Sequence, residues 1–246
     1  MTGSKSSTVA KRLARRVRAV KPPVGSVSFR SSPVPQGLAT FLREHLLTGD
    51  THYTTRPGIV ELRRAIGLEI GRCGGPDIAA DGVVVTHGEG EALFVTLLGL
   101  GIGAGDSVVL TGECRHRSLF DLMGVELVGS GHPKASHATA RYCQINNANG
   151  QVSSQEDAAR QEILALGGLL FSGRTGDTEP TSLSSRAILI GQLDSLPGMD
   201  QFRLGYAAGP PALVKRIMTW KQAFSICSAA PSQRAALFAI SRERPW

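Results

Sequence analysis

The sequence is sparing with the residues that would tie it to an oxidising compartment or to a membrane. Its 246 residues include four cysteines, Cys73, Cys114, Cys143 and Cys227, far apart and without a C-x-x-C pair. A disulfide framework is therefore not expected, no metal site is expected, and the reducing cytoplasm is the compartment that fits. No hydrophobic run reaches the length of a bilayer span or of a signal-peptide core, which excludes a membrane partner for the body of the chain. Acidic residues are missing from one place only: residues 1 to 43 carry nine Lys and Arg and no Asp or Glu. The rest of the chain holds 18 basic residues against 20 acidic ones. The formal charge of +7 thus belongs to an N-terminal arm, and nothing in the body points to a nucleic acid as partner.

What is present is ordinary for a globular protein. With 41% hydrophobic and 19% charged residues the chain can bury a substantial core, and its length suits one large domain. The arm places Val9, Leu13, Val17 and Val20 at helical spacing with arginines between them. That pattern fits a presequence, a membrane-surface helix or an arm that packs on a partner subunit. A Ser/Pro-rich stretch from Ser26 to Gln36 follows, so the division expected is 1–36, arm and linker, and 37–246, a single large domain.

Within that domain several apolar runs and helical patterns can be read from the residues. A helix is predicted over Gly37 to Leu47. Val83-Val84-Val85-Thr86 reads as a buried strand leading through His87-Gly88 into an apolar-faced helix from Glu89 to Leu100. A helix is predicted from Ser153 to Leu166. Ala187-Ile188-Leu189-Ile190 is an apolar strand, then comes a Gly/Pro loop, a strand from Arg203 to Ala208, and a helix opened by Pro211. Pro231 to Leu237 lies on a last helix.

The run Gln192-Leu193-Asp194-Ser195, eight residues before Arg203-Leu204-Gly205-Tyr206, is the centre of the sequence. It resembles the segment of fold-type I pyridoxal-phosphate (PLP) enzymes, the aspartate aminotransferase superfamily, in which Gly-Phe-Ser-Lys precedes Arg-Leu-Gly-Tyr at that distance. A second match is Tyr53-Thr54-Thr55-Arg56-Pro57-Gly58 with Leu62-Arg63-Arg64-Ala65-Ile66, similar to the superfamily's Tyr-Thr-x-x-x-Gly-x-x-x-Leu-Arg-x-Ala-Ile. Gly105-Asp106-Ser107-Val108, Gly209-Pro210-Pro211 and Pro231-Ser232-Gln233 continue the resemblance, which spans roughly residues 12 to 241. It implies a three-layer α/β/α large domain on a mostly parallel sheet. It also implies that most of the small C-terminal domain, with the arginine that grips a substrate carboxylate, is lacking, because the sequence ends at Trp246.

The departures from the pattern decide the expected function. The lysine that forms the Schiff base is Ser195, and a hydroxyl can neither form that bond nor move a substrate proton as an amine does. The phosphate-binding turn is His87-Gly88-Glu89-Gly90-Glu91, with Glu89 where the resemblance implies the phosphate. Glu89 has an alternative reading as a plain helix cap. The aspartate beneath the pyridine nitrogen corresponds to Ser172, and the stacking aromatic to Arg115, with His116 beside it. Vestigial cofactor positions implied by the resemblance are Tyr53, Asn147 and Arg203, the last also a candidate for anionic substrates together with Arg115.

From these departures no cofactor is expected. The reading favoured is a PLP-independent enzyme of bacterial small-molecule biosynthesis that reuses the emptied cleft, with His87, Glu89, His116 and Ser195 as acid–base candidates for a small-molecule ligand. The alternatives are a non-catalytic subunit that pairs with a full-length aminotransferase, a decayed remnant, and residual PLP binding without a Schiff base through Lys134, Lys215 or Lys221. A homodimer, or a heterodimer with a related aminotransferase, is expected in which Tyr53 reaches across the interface.

Overall fold

A computed structural model of the chain describes residues 33–72, 76–111, 114–144, 168–172, 187–194, 196 and 198–241. They lie within one unit, Ser32–Trp246. The predicted helix from Ser153 to Leu166 and the arm lie outside the described residues.

Two helices lead in, α1 (Gln36–Leu47) and α2 (Val60–Arg72), followed by strand β1 (Val83–Thr86) and helix α3 (Gly88–Leu100). Next come β2 (Ser107–Thr111), α4 (Arg117–Met123), β3 (Glu126–Gly129) and β4 (Ala140–Gln144). The described chain then gives β5 (Gly168–Ser172), β6 (Ala187–Gln192), β7 (Gly205–Ala208), α5 (Pro211–Ser225) and α6 (Ala230–Ser241). The strands form one sheet in the order β1-β7-β6-β5-β4-β2-β3.

Alternation along the central strands divides the core into two layers. Val83 and Val85 of β1, Leu189 of β6 and Tyr206 and Ala208 of β7 pack against Leu38, Leu62, Ile66, Ala235 and Ala236 of α1, α2 and α6. Val84, Ile188, Ile190 and Ala207 point the other way, onto Leu93 and Leu97 of α3 and Val214 and Ile217 of α5. Helices thus cover both faces, as the α/β/α reading expects. α3 and α5 approach closely because residue 99 is glycine: a Cβ there would meet the Ile217 backbone nitrogen and Cα at 2.9 Å.

Where a mostly parallel sheet is expected, the strand pairings are mixed, four antiparallel and two parallel. β2 pairs in parallel with β3 and β4, while β7 runs antiparallel to β1 and β6, and β5 antiparallel to β4 and β6. Five of the seven strands therefore share one direction and β5 and β7 oppose it. For β7 the reason is local: it follows β6, and Leu193 N–H donating to the Leu204 carbonyl at 2.9 Å continues the antiparallel ladder beyond the strand ends.

Candidate functional site

The site is assembled from the start of α3, the β6–β7 loop and the turn before α4. At the first of these, β1 ends at Thr86 and the chain turns through Gly88 at φ +78°, a left-handed conformation that glycine adopts without cost. A Cβ at Gly88 would meet nothing within 4 Å, so the turn is open on that side. Helix α3 then begins with first-turn N–H groups that have no intrahelical acceptor, a ready anion cradle at the positive end of a 13-residue helix.

Two glutamates stand in that first turn and play different parts. Glu91 makes the cap: its Oε2 accepts the His87 backbone N–H at 2.5 Å and lies 3.1 Å from His87 Nδ1. Its Oε1 accepts the Ser225 hydroxyl at 2.5 Å, and that hydroxyl in turn accepts from Lys221 Nζ at 3.0 Å. Burial alone would raise the Glu91 carboxyl. The bonds from His87 and Ser225 and the Lys221 charge outweigh it and hold the group at about 2.

Glu89 does not cap the helix, which removes the alternative reading of that residue. It is 3% exposed, with Oε2 3.6 Å from His116 Nε2 and Oε1 without a hydrogen-bond partner among the described residues. His116 Nε2 is likewise buried without a hydrogen bond. A buried carboxylate in this state is costly unless a cation or donor completes it.

The β6–β7 loop closes the site from the other side. Buried Leu193, Leu196, Met199 and Leu204 anchor it and carry Asp194 and Arg203. Arg203 is exposed and sits at φ +47°, an uncommon backbone for a side-chain-bearing residue. Burial raises the Asp194 carboxyl to about 6, helped by the charges of Asp200 and Glu89 and opposed by Arg203. The Tyr142 phenol is pushed upward by burial, then by Glu89 and Cys114, while Arg115 works against the shift. These mutual effects put Glu89, Asp194, Asp200, Arg203, Tyr142 and Arg115 in one electrostatic neighbourhood.

Of the residues singled out from the sequence, the fold brings Glu89 and His116 together, sets His87 against Glu91, and places Arg203 and Arg115 within electrostatic reach. Tyr53 lies on the approach to α2 and is 84% exposed. Its segment is fixed by buried Gln233, which donates to Thr54 Oγ1 at 2.8 Å and accepts from the Ile59 N–H at 2.8 Å. Ser195 and Asn147 lie outside the described residues, and Ser172 ends β5. Lys134 is engaged elsewhere, with Glu126 at 2.6 Å. Sequence reasoning gives no role to Glu91, Asp194 or Ser225, and names Lys221 only as a stand-in lysine for PLP. The signal for two of them is present: Lys221 and Ser225 are four apart on α5, and Lys221 falls four residues after buried Ile217. No group of three or more His, Cys, Asp or Glu among the described residues is arranged to hold a metal ion.

No protein-family model matches the chain. A curated relative, the (5-formylfuran-3-yl)methyl phosphate transaminase of Methanocaldococcus jannaschii, is 27% identical over 217 residues, covering 80% of this chain and 58% of its own. The chain spans under three fifths of the length of the first two curated relatives it matches, 58% and 57%. Among solved structures, a Methanococcus jannaschii protein similar in its active site to kynurenine aminotransferases superposes with a TM-score of 0.64 at 22% identity, covering 96% of this chain and 69% of that one. The Rhizobium meliloti aspartate aminotransferase gives a TM-score of 0.62 at 16% identity, covering 99% and 69%.

The fold is that of the aspartate aminotransferase-like, PLP-dependent transferases. This overturns one expectation from the sequence. The expected absence of any cofactor rests on Ser195 and Glu89, yet the relatives and structural neighbours of this aminotransferase-like chain are PLP-dependent aminotransferases and point to PLP. The physical reason is that the lost amine says nothing of the groups that remain to hold a phosphate. At the start of α3 the first-turn N–H groups and the open, left-handed Gly88 suit the phosphate end of PLP. Buried Glu89 stands in the same first turn, 3.6 Å from His116.

Proposed function

We propose that this aminotransferase-like protein holds PLP through its phosphate end, without a covalent bond to the chain, and does not transaminate. The observation that carries the reading is the pairing of an intact helix-terminus cradle at Gly88 with a serine at position 195 in the run before Arg203. When bound, PLP supplies an electron sink for carbanion chemistry. The chain's own part is to bind and orient. The α3 N–H groups and Arg203 take the phosphate, and Glu89 and His116 can hold and pass a proton beside it. The Ser195 hydroxyl is too weak a base to move a substrate α-proton as a lysine amine does, so amino-group exchange has no carrier.

The working unit of this reading is a cytoplasmic homodimer. Residues 1–36 serve as a basic arm on the partner, and Tyr53 is available to the neighbouring site. The exposure of Tyr53 and of Leu46 and Leu47 supports an interface there. No helix among the described residues is long and apolar enough to cross a membrane.

Titration of purified protein with PLP, followed by dialysis, tests the proposal. The expected result is saturable binding that dialysis reverses, an unshifted aldehyde spectrum, and no exchange of amino groups between an amino acid and an oxo acid. Failure to bind PLP at millimolar concentration, or a yellow colour that survives dialysis together with turnover, overturns it.

A further inference from the structure

Lys221 is fully buried, and neither the fold nor the cradle described above uses its charge directly. A lysine in that position is expensive unless its ammonium reaches a counter-charge. Here it does so through one intermediary: Lys221 Nζ donates to Ser225 Oγ at 3.0 Å, and Ser225 Oγ donates to Glu91 Oε1 at 2.5 Å. The second oxygen of the same carboxylate holds the His87 backbone N–H at 2.5 Å. The chain of hydrogen bonds runs from the interior of α5 to the residue that opens α3, where the left-handed Gly88 begins the anion cradle.

We propose that Lys221 and Ser225 are positioning residues for that cradle, acting through Glu91 on the backbone of His87; this rests on the reading that the cradle takes the phosphate of PLP. Two effects follow from the geometry. Glu91 occupies the His87 N–H and so fixes the turn, leaving the next N–H groups of α3 free to face a ligand. Lys221 also balances the Glu91 charge, which would otherwise repel a phosphate dianion at the same helix end. Loss of the ammonium leaves a buried carboxylate held only by a hydroxyl and by His87. The carboxylate then gains by turning to water and releasing the turn. The charged and titratable groups that face the pair are His87 on the α3 side and Cys227 beyond α5.

Two measurements, one with PLP and one without, separate this from the reading on which it rests. Dissociation constants for PLP are measured in the parent protein, in Lys221→Met, in Glu91→Ala and in the double variant, and hydrogen exchange at the His87 amide is measured with no ligand. Each single change is expected to weaken PLP binding about tenfold, the order of one charge-assisted hydrogen bond, and the double to be no worse than either single. His87 protection is expected to fall in both singles. Ser225→Ala, which removes only the bridging hydroxyl, reads the same link if Lys221→Met does not fold. Additive losses, or unchanged affinity with His87 still protected, overturn the proposal. If the parent protein binds no PLP, the proposed function fails on its own. The exchange data then decide the relay, and full protection in Lys221→Met or Ser225→Ala overturns it.

Discussion

Glu89 and Glu91 stand two positions apart at the start of α3, and burial treats them differently. Glu91 is completed by His87, Ser225 and Lys221, whereas Glu89 faces His116 across 3.6 Å with one oxygen unpartnered among the described residues. Two predictions belong at this scale. Ser195→Lys restores the amine but leaves Glu89 against the phosphate, so Ser195→Lys with Glu89→Ala binds PLP more tightly than Ser195→Lys alone. A unit charge about 4 Å away costs on the order of 4 kcal/mol at an effective dielectric of about 20, and with much of that relieved by solvent at the open turn a gain of about tenfold is expected by absorbance titration. Equal affinities would show that Glu89 does not face the phosphate. The second concerns Asp194, whose carboxyl goes from an ordinary 3.8 to about 6 in the fold. The folded state binds the extra proton between about pH 4 and 6, so stability falls as pH rises through that window and levels off above it. Denaturant unfolding across pH should show this fall in the parent protein and not in Asp194→Asn. At this scale the sequence is only partly legible. Ser195 and Glu89 stand out as departures from a pattern, but Lys221 passes for one more residue of an outer helix. Its spacing from Val214 and Ile217 puts it on the buried face of α5, and a cation there is intelligible only once Ser225 and Glu91 are seen beside it.

Helices α3 and α5 are packed on the same sheet face and carry the two ends of the Lys221–Glu91 connection. Their separation is set at Gly99, where the Ile217 backbone leaves no room for a side chain. Gly99→Ala should therefore destabilise despite alanine's better helix propensity. The propensity gain is about 1 kcal/mol, while overpacking costs about 1–3 kcal/mol and lies at the high end when the obstacle is backbone. A net loss of about 1–2 kcal/mol is expected in denaturant unfolding, with weaker PLP binding as α5 moves off α3. Element by element the sequence is a good guide where one pattern dominates. The valine run of β1, the Pro-opened α5 and the loop joining β6 to β7 are each legible in advance. The direction of β5 is not, because strand sense depends on the connection and on neighbouring strands rather than on the strand's own residues.

At the scale of the whole molecule, four of the exposed apolar side chains among the described residues, Tyr53, Trp220, Phe224 and Ile226, lie on two segments that touch. Arg56 Nη1, three residues after exposed Tyr53, donates to Gln222 at 2.9 Å on the part of α5 that carries exposed Trp220 and Phe224, with exposed Ile226 just beyond its end. Such a surface is expected to be covered by a second copy, and sedimentation at micromolar concentration should give a dimer that Tyr53→Asp with Phe224→Asp converts to monomer. A monomeric parent protein would remove the dimer from the proposal. Whether an aminotransferase-like site without its lysine holds PLP non-covalently is decided by intact-mass measurement. The protein is saturated with PLP, reduced with borohydride, denatured and weighed. PLP is expected in the undenatured complex, and the chain mass after reduction is expected to be unmodified. A chain that carries a phosphopyridoxyl group on any lysine, Lys221 above all, contradicts non-covalent binding.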